Sequence, residues 1–164
     1  MNSNLPHVSI IILNWNGWRD TIECLESIYQ LNYPNYHVIV VDNNSKDNSI
    51  KKIKDYCSGN LEIQSQYIKY KKMNKPIKIV EYSNQDNENI NNSASEYSNS
   101  NSNSSLRLYL ILNDKNYYFV KGNNIGITFS IKNLKTDCIL LLNNDTVVES
   151  DLLLELVNIK NYYC

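Results

Sequence analysis

Apolar positions along the chain fall into two rhythms, short unbroken runs and residues recurring at intervals of three or four. Runs occur at residues 8–13, 37–41, 106–112 and 138–142, and each ends in a cluster of Asn, Asp, Ser or Gly. Runs this short and this rich in Val, Ile and Leu predict strands buried on both faces, as in a parallel sheet covered by helices. Residues 76–82 instead alternate apolar with polar, which predicts a half-exposed strand.

The second rhythm marks helices. Trp18, Ile22, Leu25, Ile28 and Tyr29 share one face of a first helix, with Asp20 and Glu23 spaced like a capping box at its start. Ser45 is placed to cap a second helix that turns Ile50, Ile53 and Cys57 inward and Lys51, Lys52 and Lys54 outward. A third is predicted after Gly126 with Ile127, Ile131 and Leu134 buried, and a last one from near Ser150 with Leu152, Leu153, Leu156 and Val157. Strand and helix alternate throughout, so the expected class is α/β with a mostly parallel sheet flanked by helices.

In such sheets ligands bind beyond the carboxyl ends of the strands. The polar groups there are Asn14-Trp15-Asn16-Gly17, Asp42-Asn43-Asn44-Ser45, Asn113-Asp114 and Asn143-Asn144-Asp145. Asp42 stands where doubly wound folds set an acid against a ribose or base. Asp145 is placed either to hold a metal or phosphate-bearing ligand or simply to cap the next helix. The first strand's loop has a single glycine, so the dinucleotide fingerprint is absent.

Composition narrows the classes. A chain of 164 residues is one domain's worth. Residues 83–105 are nearly all Asn, Ser, Glu and Asp, too polar to offset their chain entropy, and predict a disordered, low-complexity insertion. The abundance of Asn, Lys and Tyr fits an A/T-rich coding bias and lowers the weight of any single such residue. A net charge of −1 without a dense basic patch argues against a nucleic-acid partner. Cys24, Cys57, Cys138 and Cys164 are widely spaced, which predicts reduced structural thiols and a cytoplasmic setting. His7 and His37 each precede a strand and read as structural or exposed. The first residues do not predict a signal peptide, and no apolar run approaches membrane-spanning length.

Four blocks in order carry a family resemblance. They are Val8-Ser9-Ile10-Ile11-Ile12-Leu13-Asn14-Trp15-Asn16-Gly17, Val40-Val41-Asp42-Asn43-Asn44-Ser45-Lys46-Asp47, Gly122-Asn123-Asn124-Ile125-Gly126 and Leu141-Leu142-Asn143-Asn144-Asp145-Thr146. Together they resemble the nucleotide-binding part of a family 2 glycosyltransferase with the Rossmann-like GT-A fold, closest to its rhamnosyltransferase-like members. The resemblance implies a metal-dependent, inverting transfer of sugar from a UDP-, GDP- or dTDP-linked donor to a glycan or lipid-linked acceptor, with peripheral membrane association compatible. It implies nucleotide contacts from Asn14, Asn16, Asp42, Lys121, Asn123, Asn124 and Asn143. Asp145 would hold Mg²⁺ or Mn²⁺ against the diphosphate.

The chain also departs from the pattern. Asn143 replaces the first carboxylate of the D-x-D motif, and an amide can still accept a hydrogen bond there. Tyr118 stands where related sequences have glycine, which would strain the backbone if φ is positive. Similar enzymes continue well beyond this length with an acceptor site and catalytic base, so the chain reads as truncated, with its base unassigned. An alternative is a non-catalytic nucleotide-binding or assembly module. A receiver-like domain phosphorylated on Asp42 lacks the paired acids and the lysine that chemistry needs.

Overall fold

The computed structural model describes residues 5–83 and 107–163, with side chains as far as residue 159. Strands β1 (Val8–Asn14), β2 (Tyr36–Asp42), β3 (Lys78–Ser83), β4 (Arg107–Leu112) and β5 (Cys138–Asn143) form one sheet in the order β3-β4-β2-β1-β5. Every pairing in it is parallel. Helices α1 (Trp18–Ile28), α2 (Ser49–Ser58), α3 (Tyr118–Asn133) and α4 (Leu152–Tyr163) complete the Rossmann-like arrangement. The predicted insertion, apart from Ser83, lies outside the described residues.

Successive strand residues face opposite sides of the sheet, so the core divides in two. Val8, Ile10, Ile12, Val38, Val40, Leu108 and Leu110 face one side, where Ile22, Leu25 and Ile28 of α1, Ile53 and Cys57 of α2, and Leu153 and Val157 of α4 cover them. Ile11, Ile39, Val41, Tyr109 and Ile111 face the other, under Phe129 of α3. Here α3 must lie close. A Cβ on Gly122 would come within 2.6 Å of Leu13 Cδ1, and one on Gly126 within 2.6 Å of Ile11 Cγ2. The Gly-Asn-Asn-Ile-Gly block is therefore a packing surface as well as a motif.

That close approach corrects the predicted face of α3. Its buried residues are Gly122, Asn123, Gly126, Phe129 and Ser130, whereas Ile131 is 66% exposed. Ile127 and Leu134 do pack against this side as expected, partly buried, and small side chains let the helix reach the strands. β5 corrects a second expectation. It lies at the sheet edge, and only Cys138, Leu140 and Leu142 pack against the core, while Ile139 and Leu141 remain exposed at 37% and 46%.

Helix starts also differ from the sequence reading. α1 begins after Gly17 with no side-chain cap, so Asp20 and Glu23 do not form a capping box. α2 begins after Asn48, with Ser49 N donating to Asp47 Oδ1 at 2.9 Å. Ser45 is not its cap, because its hydroxyl is committed to Asp42.

Between α2 and β3 the chain is pinned by charge. Glu26, fully buried on α1, accepts from Lys75 Nζ at 3.0 Å, Tyr56 OH at 2.7 Å, Lys71 N at 2.8 Å and Gln30 Nε2 at 2.9 Å. Burial first, then the Glu26 charge and hydrogen bond, raise the Tyr56 phenol well above its ordinary range. At the amino ends of the strands, His7 and His37 stack with ring centroids 5.1 Å apart. Burial, then His7 and Arg107, lowers His37 to about 4. Both histidines sit at the end of the sheet opposite Asp42 and Asn143, in structural positions.

Candidate functional site

The carboxyl ends of β1, β2 and β5 lie side by side, because Asn14 pairs with Asp42 and Leu13 with Asn143. Two kinds of surface result. Around Asp42 the polar groups are closed on one another. Asp42 is 3% exposed, and its carboxylate accepts from Asn14 Nδ2 at 2.6 Å, Ser45 Oγ at 2.6 Å and Ser45 N at 2.9 Å. Asn14 is fully buried, and its Oδ1 accepts from Thr21 Oγ1 at 2.8 Å. Asn16, with φ 53°, turns its Oδ1 onto Lys46 N at 2.7 Å. One more lone pair on Asp42 Oδ2 remains for a further donor.

Around Asp145 the surface is open. A cavity of about 330 Å³ lies between the first turns of α3 and the end of β5. Its walls are Leu13, Trp15, Phe119, Asn123, Leu141, Leu142 and the Asn143-Asn144-Asp145 turn. Trp15 and Phe119 are 56% and 61% exposed, so the walls are aromatic and uncovered. Asn123, Asn143 and Asp145 thus meet at one cavity, whereas Asn14, Asn16, Asp42, Lys121 and Asn124 do not line it. Lys121 is exposed on α3 with its ammonium 4.3 Å from the Tyr117 ring. Asn124 is exposed on the same turn.

α1 holds the Asp145 turn through a buried polar stripe that the sequence reading missed. Asn144 Nδ2 donates to Thr21 Oγ1 at 3.2 Å, Cys24 Sγ to Asn143 O at 3.7 Å, and Val148 N to Ser27 Oγ at 3.1 Å. Burial, followed by the Asp145 charge, pushes the Cys24 thiol up to about 12, against a backbone hydrogen bond from Thr146 that lowers it. Gly17 admits the turn, since a Cβ there would lie 2.8 Å from Asn144 Nδ2. Residues three apart on a helix are neighbours, and Thr21, Cys24 and Ser27 keep that spacing. Small polar residues inside an apolar helical face were the available signal.

Tyr118 opens α3 with φ 57° and is 81% exposed. The backbone there does take the left-handed conformation that favours glycine, so tyrosine is strained at this position.

Among the described residues, no group of three or more His, Cys, Asp or Glu side chains could hold a metal on its own. Asp145 is the one carboxylate on the cavity wall among the described residues. This donor set fits Mg²⁺ or Mn²⁺ held by a single carboxylate together with phosphates and water. No helix among the described residues is long and apolar enough to cross a membrane.

The sequence matches the family described as Glycosyl transferase family 2 over residues 9–78. No curated protein matches it significantly in sequence. Among solved structures, a mannosyltransferase from Pyrobaculum calidifontis in complex with GDP-Man and Mn²⁺ is similar, with TM-score 0.59 and 15% identity over 99% of this chain and 33% of its own. TarS from S. aureus, residues 1–349, is similar with TM-score 0.57 and 16% identity over 95% of this chain and 32% of its own. The same protein in complex with UDP-GlcNAc gives TM-score 0.57 and 15% identity over 95% of this chain and 31% of its own. The chain spans about a third of the length of these structures. With its all-parallel sheet, the chain has the GT-A fold of these structures, and residues 9–78 within it resemble family 2 glycosyltransferases.

Proposed function

We propose that this chain binds the nucleoside diphosphate of a UDP-, GDP- or dTDP-linked sugar, with Asp145 holding Mg²⁺ or Mn²⁺ against the diphosphate. The observation that carries this reading is the exposed Asp145 carboxylate on an open, aromatic-walled cavity, beside a closed Asp42 network. Asn123 and Asn143 line the donor cavity, and Lys121 and Asn124, exposed on the same helix as Asn123, contact the bound donor. Asp42 meets the base or ribose through its remaining acceptor, Asn16 flanks it from the loop, and Asn14 holds it from below. The divalent ion, when bound, supplies Lewis-acid stabilisation of the departing diphosphate.

The full reaction is sugar transfer, with inversion, to a hydroxyl of a glycan or lipid-linked acceptor at the cytoplasmic face of a membrane or in the cytoplasm. The complexes of similar structures with GDP-Man and Mn²⁺ and with UDP-GlcNAc support the donor class.

A second reading is a nucleotide-binding or assembly module without transferase activity. It is favoured by the cavity wall, where among the described residues Asp145 is the only acid and no histidine stands as a general base. Thermal unfolding with UDP, GDP and dTDP, each with and without Mn²⁺, tests donor binding. At least one nucleotide should raise the melting temperature only with the metal, and Asp145→Ala should abolish that rise. No shift with any of the three would overturn the donor site. Metal-dependent hydrolysis of a nucleotide sugar would exclude the non-catalytic reading.

A further inference from the structure

We propose that the buried stripe Thr21–Cys24–Ser27 on α1 is the positioning element for Asp145, and that Thr21 is the residue that sets the Asn144 turn. The inference rests on the donor-site reading only for its functional consequence.

All three side chains are fully buried. Each meets a different part of one segment. Thr21 takes the Asn144 amide, Cys24 the Asn143 carbonyl and Ser27 the Val148 amide. Asp145 itself accepts none of these bonds, so its carboxylate stays exposed while the backbone on either side is held. The arrangement suits an acid that must stay open yet fixed in place.

Thr21 differs from its two neighbours because its hydroxyl also continues the polar network. Asn144 Nδ2 donates to Thr21 Oγ1, Thr21 Oγ1 donates to Asn14 Oδ1, and Asn14 Nδ2 donates to Asp42 Oδ1. Every donor points the same way, toward the buried carboxylate of Asp42. A hydroxyl has one proton to give and lone pairs to accept with, so Thr21 can make both bonds at once. The aligned donors polarise one another, which strengthens the chain. Through Thr21 the turn at the end of β5 is tied to the ends of β1 and β2. Valine in its place keeps the shape and loses both bonds, while serine keeps both.

The test compares Thr21→Val and Thr21→Ser with the wild type. Amide hydrogen exchange at residues 143–146 reads the turn directly, and Mn²⁺ titration in the presence of UDP, GDP or dTDP reads its consequence. Thr21→Val should speed exchange of the Asn144 and Asp145 amides by about tenfold or more while β1 and β2 amides keep their rates. It should weaken Mn²⁺ binding about tenfold, within the range typical of residues that orient a metal ligand. Thr21→Ser should restore both.

Asn144→Ala breaks the same link from the half-exposed side and serves if Thr21→Val does not fold. In exchange rates, the double variant should fall short of the sum of the two single effects, because both substitutions remove the Asn144–Thr21 bond. Wild-type exchange at 143–146 in Thr21→Val, or in Asn144→Ala, would overturn the positioning role. Faster exchange in a chain that binds no metal–nucleotide complex would support that role and remove the donor-site reading instead.

Discussion

The two faces of the sheet are built differently, and the site lies where they differ. On one face α1, α2 and α4 cover Val8, Ile10, Ile12, Val38, Val40, Leu108 and Leu110 completely. On the other, α3 is the one helix among the described residues that covers Ile11, Ile39, Val41 and Ile111, and its glycines bring it down onto β1 and β2. α3 does not reach across β5, so Ile139 and Leu141 stay exposed. The gap between α3 and β5 is the cavity with Asp145 on its wall. From the first face Thr21, Cys24 and Ser27 of α1 bond the residues around Asp145, and the gap on the second leaves its carboxylate accessible.

The contrast can be broken most severely from the closed face. Glu26→Ala leaves Lys75 buried at 3% exposure without its partner, and removing one member of a buried pair costs about 3–5 kcal/mol. Urea unfolding should show that loss, and a loss below about 1 kcal/mol would mean the ion pair does not pin the segment. Next comes the close contact on the open face. Gly126→Ala should cost about 1–3 kcal/mol by overpacking against Ile11 and Val41, read in the same unfolding experiment. Wild-type stability there would show that α3 can ride higher on the sheet.

Smaller effects sharpen the picture of the gap. Tyr118→Gly should stabilise the fold by about 1 kcal/mol, because φ 57° suits glycine and the side chain is 81% exposed. A destabilisation would mean the tyrosine ring makes a compensating contact. Leu141→Thr, on the uncovered face of β5, should change stability by no more than about 0.5 kcal/mol while raising solubility. A clear loss of stability would show that this face is covered in solution.

The order of strands and helices was legible in the sequence because unbroken apolar runs and three- to four-residue recurrences are local signals. The strand-end clusters were legible for the same reason, and Asn123, Asn143 and Asp145 do come together. What stayed hidden depends on neighbours that are distant in sequence. Cys138 to Leu142 reads as buried on both faces, but only the sheet order shows that β5 is an edge beyond the reach of α3. Ile131 reads as core, but Gly122 and Gly126 turn a different face of α3 inward. Asn14 and Asp42 read as ligand contacts, and the structure shows how fully each is engaged by Thr21 and Ser45. Glu26 and Lys75 gave no signal, being far apart in the chain and ordinary on a helix and in a loop.

The most direct measurement is Mn²⁺ binding followed by electron paramagnetic resonance, titrated with and without UDP, GDP or dTDP, for wild type and Asp145→Asn. A single carboxylate on an open cavity predicts that Mn²⁺ is immobilised only when a nucleoside diphosphate is present, and that Asp145→Asn abolishes the effect. Equal immobilisation in Asp145→Asn, or none in the wild type with any of the three nucleotides, would contradict the assignment of Asp145 as the metal–diphosphate ligand.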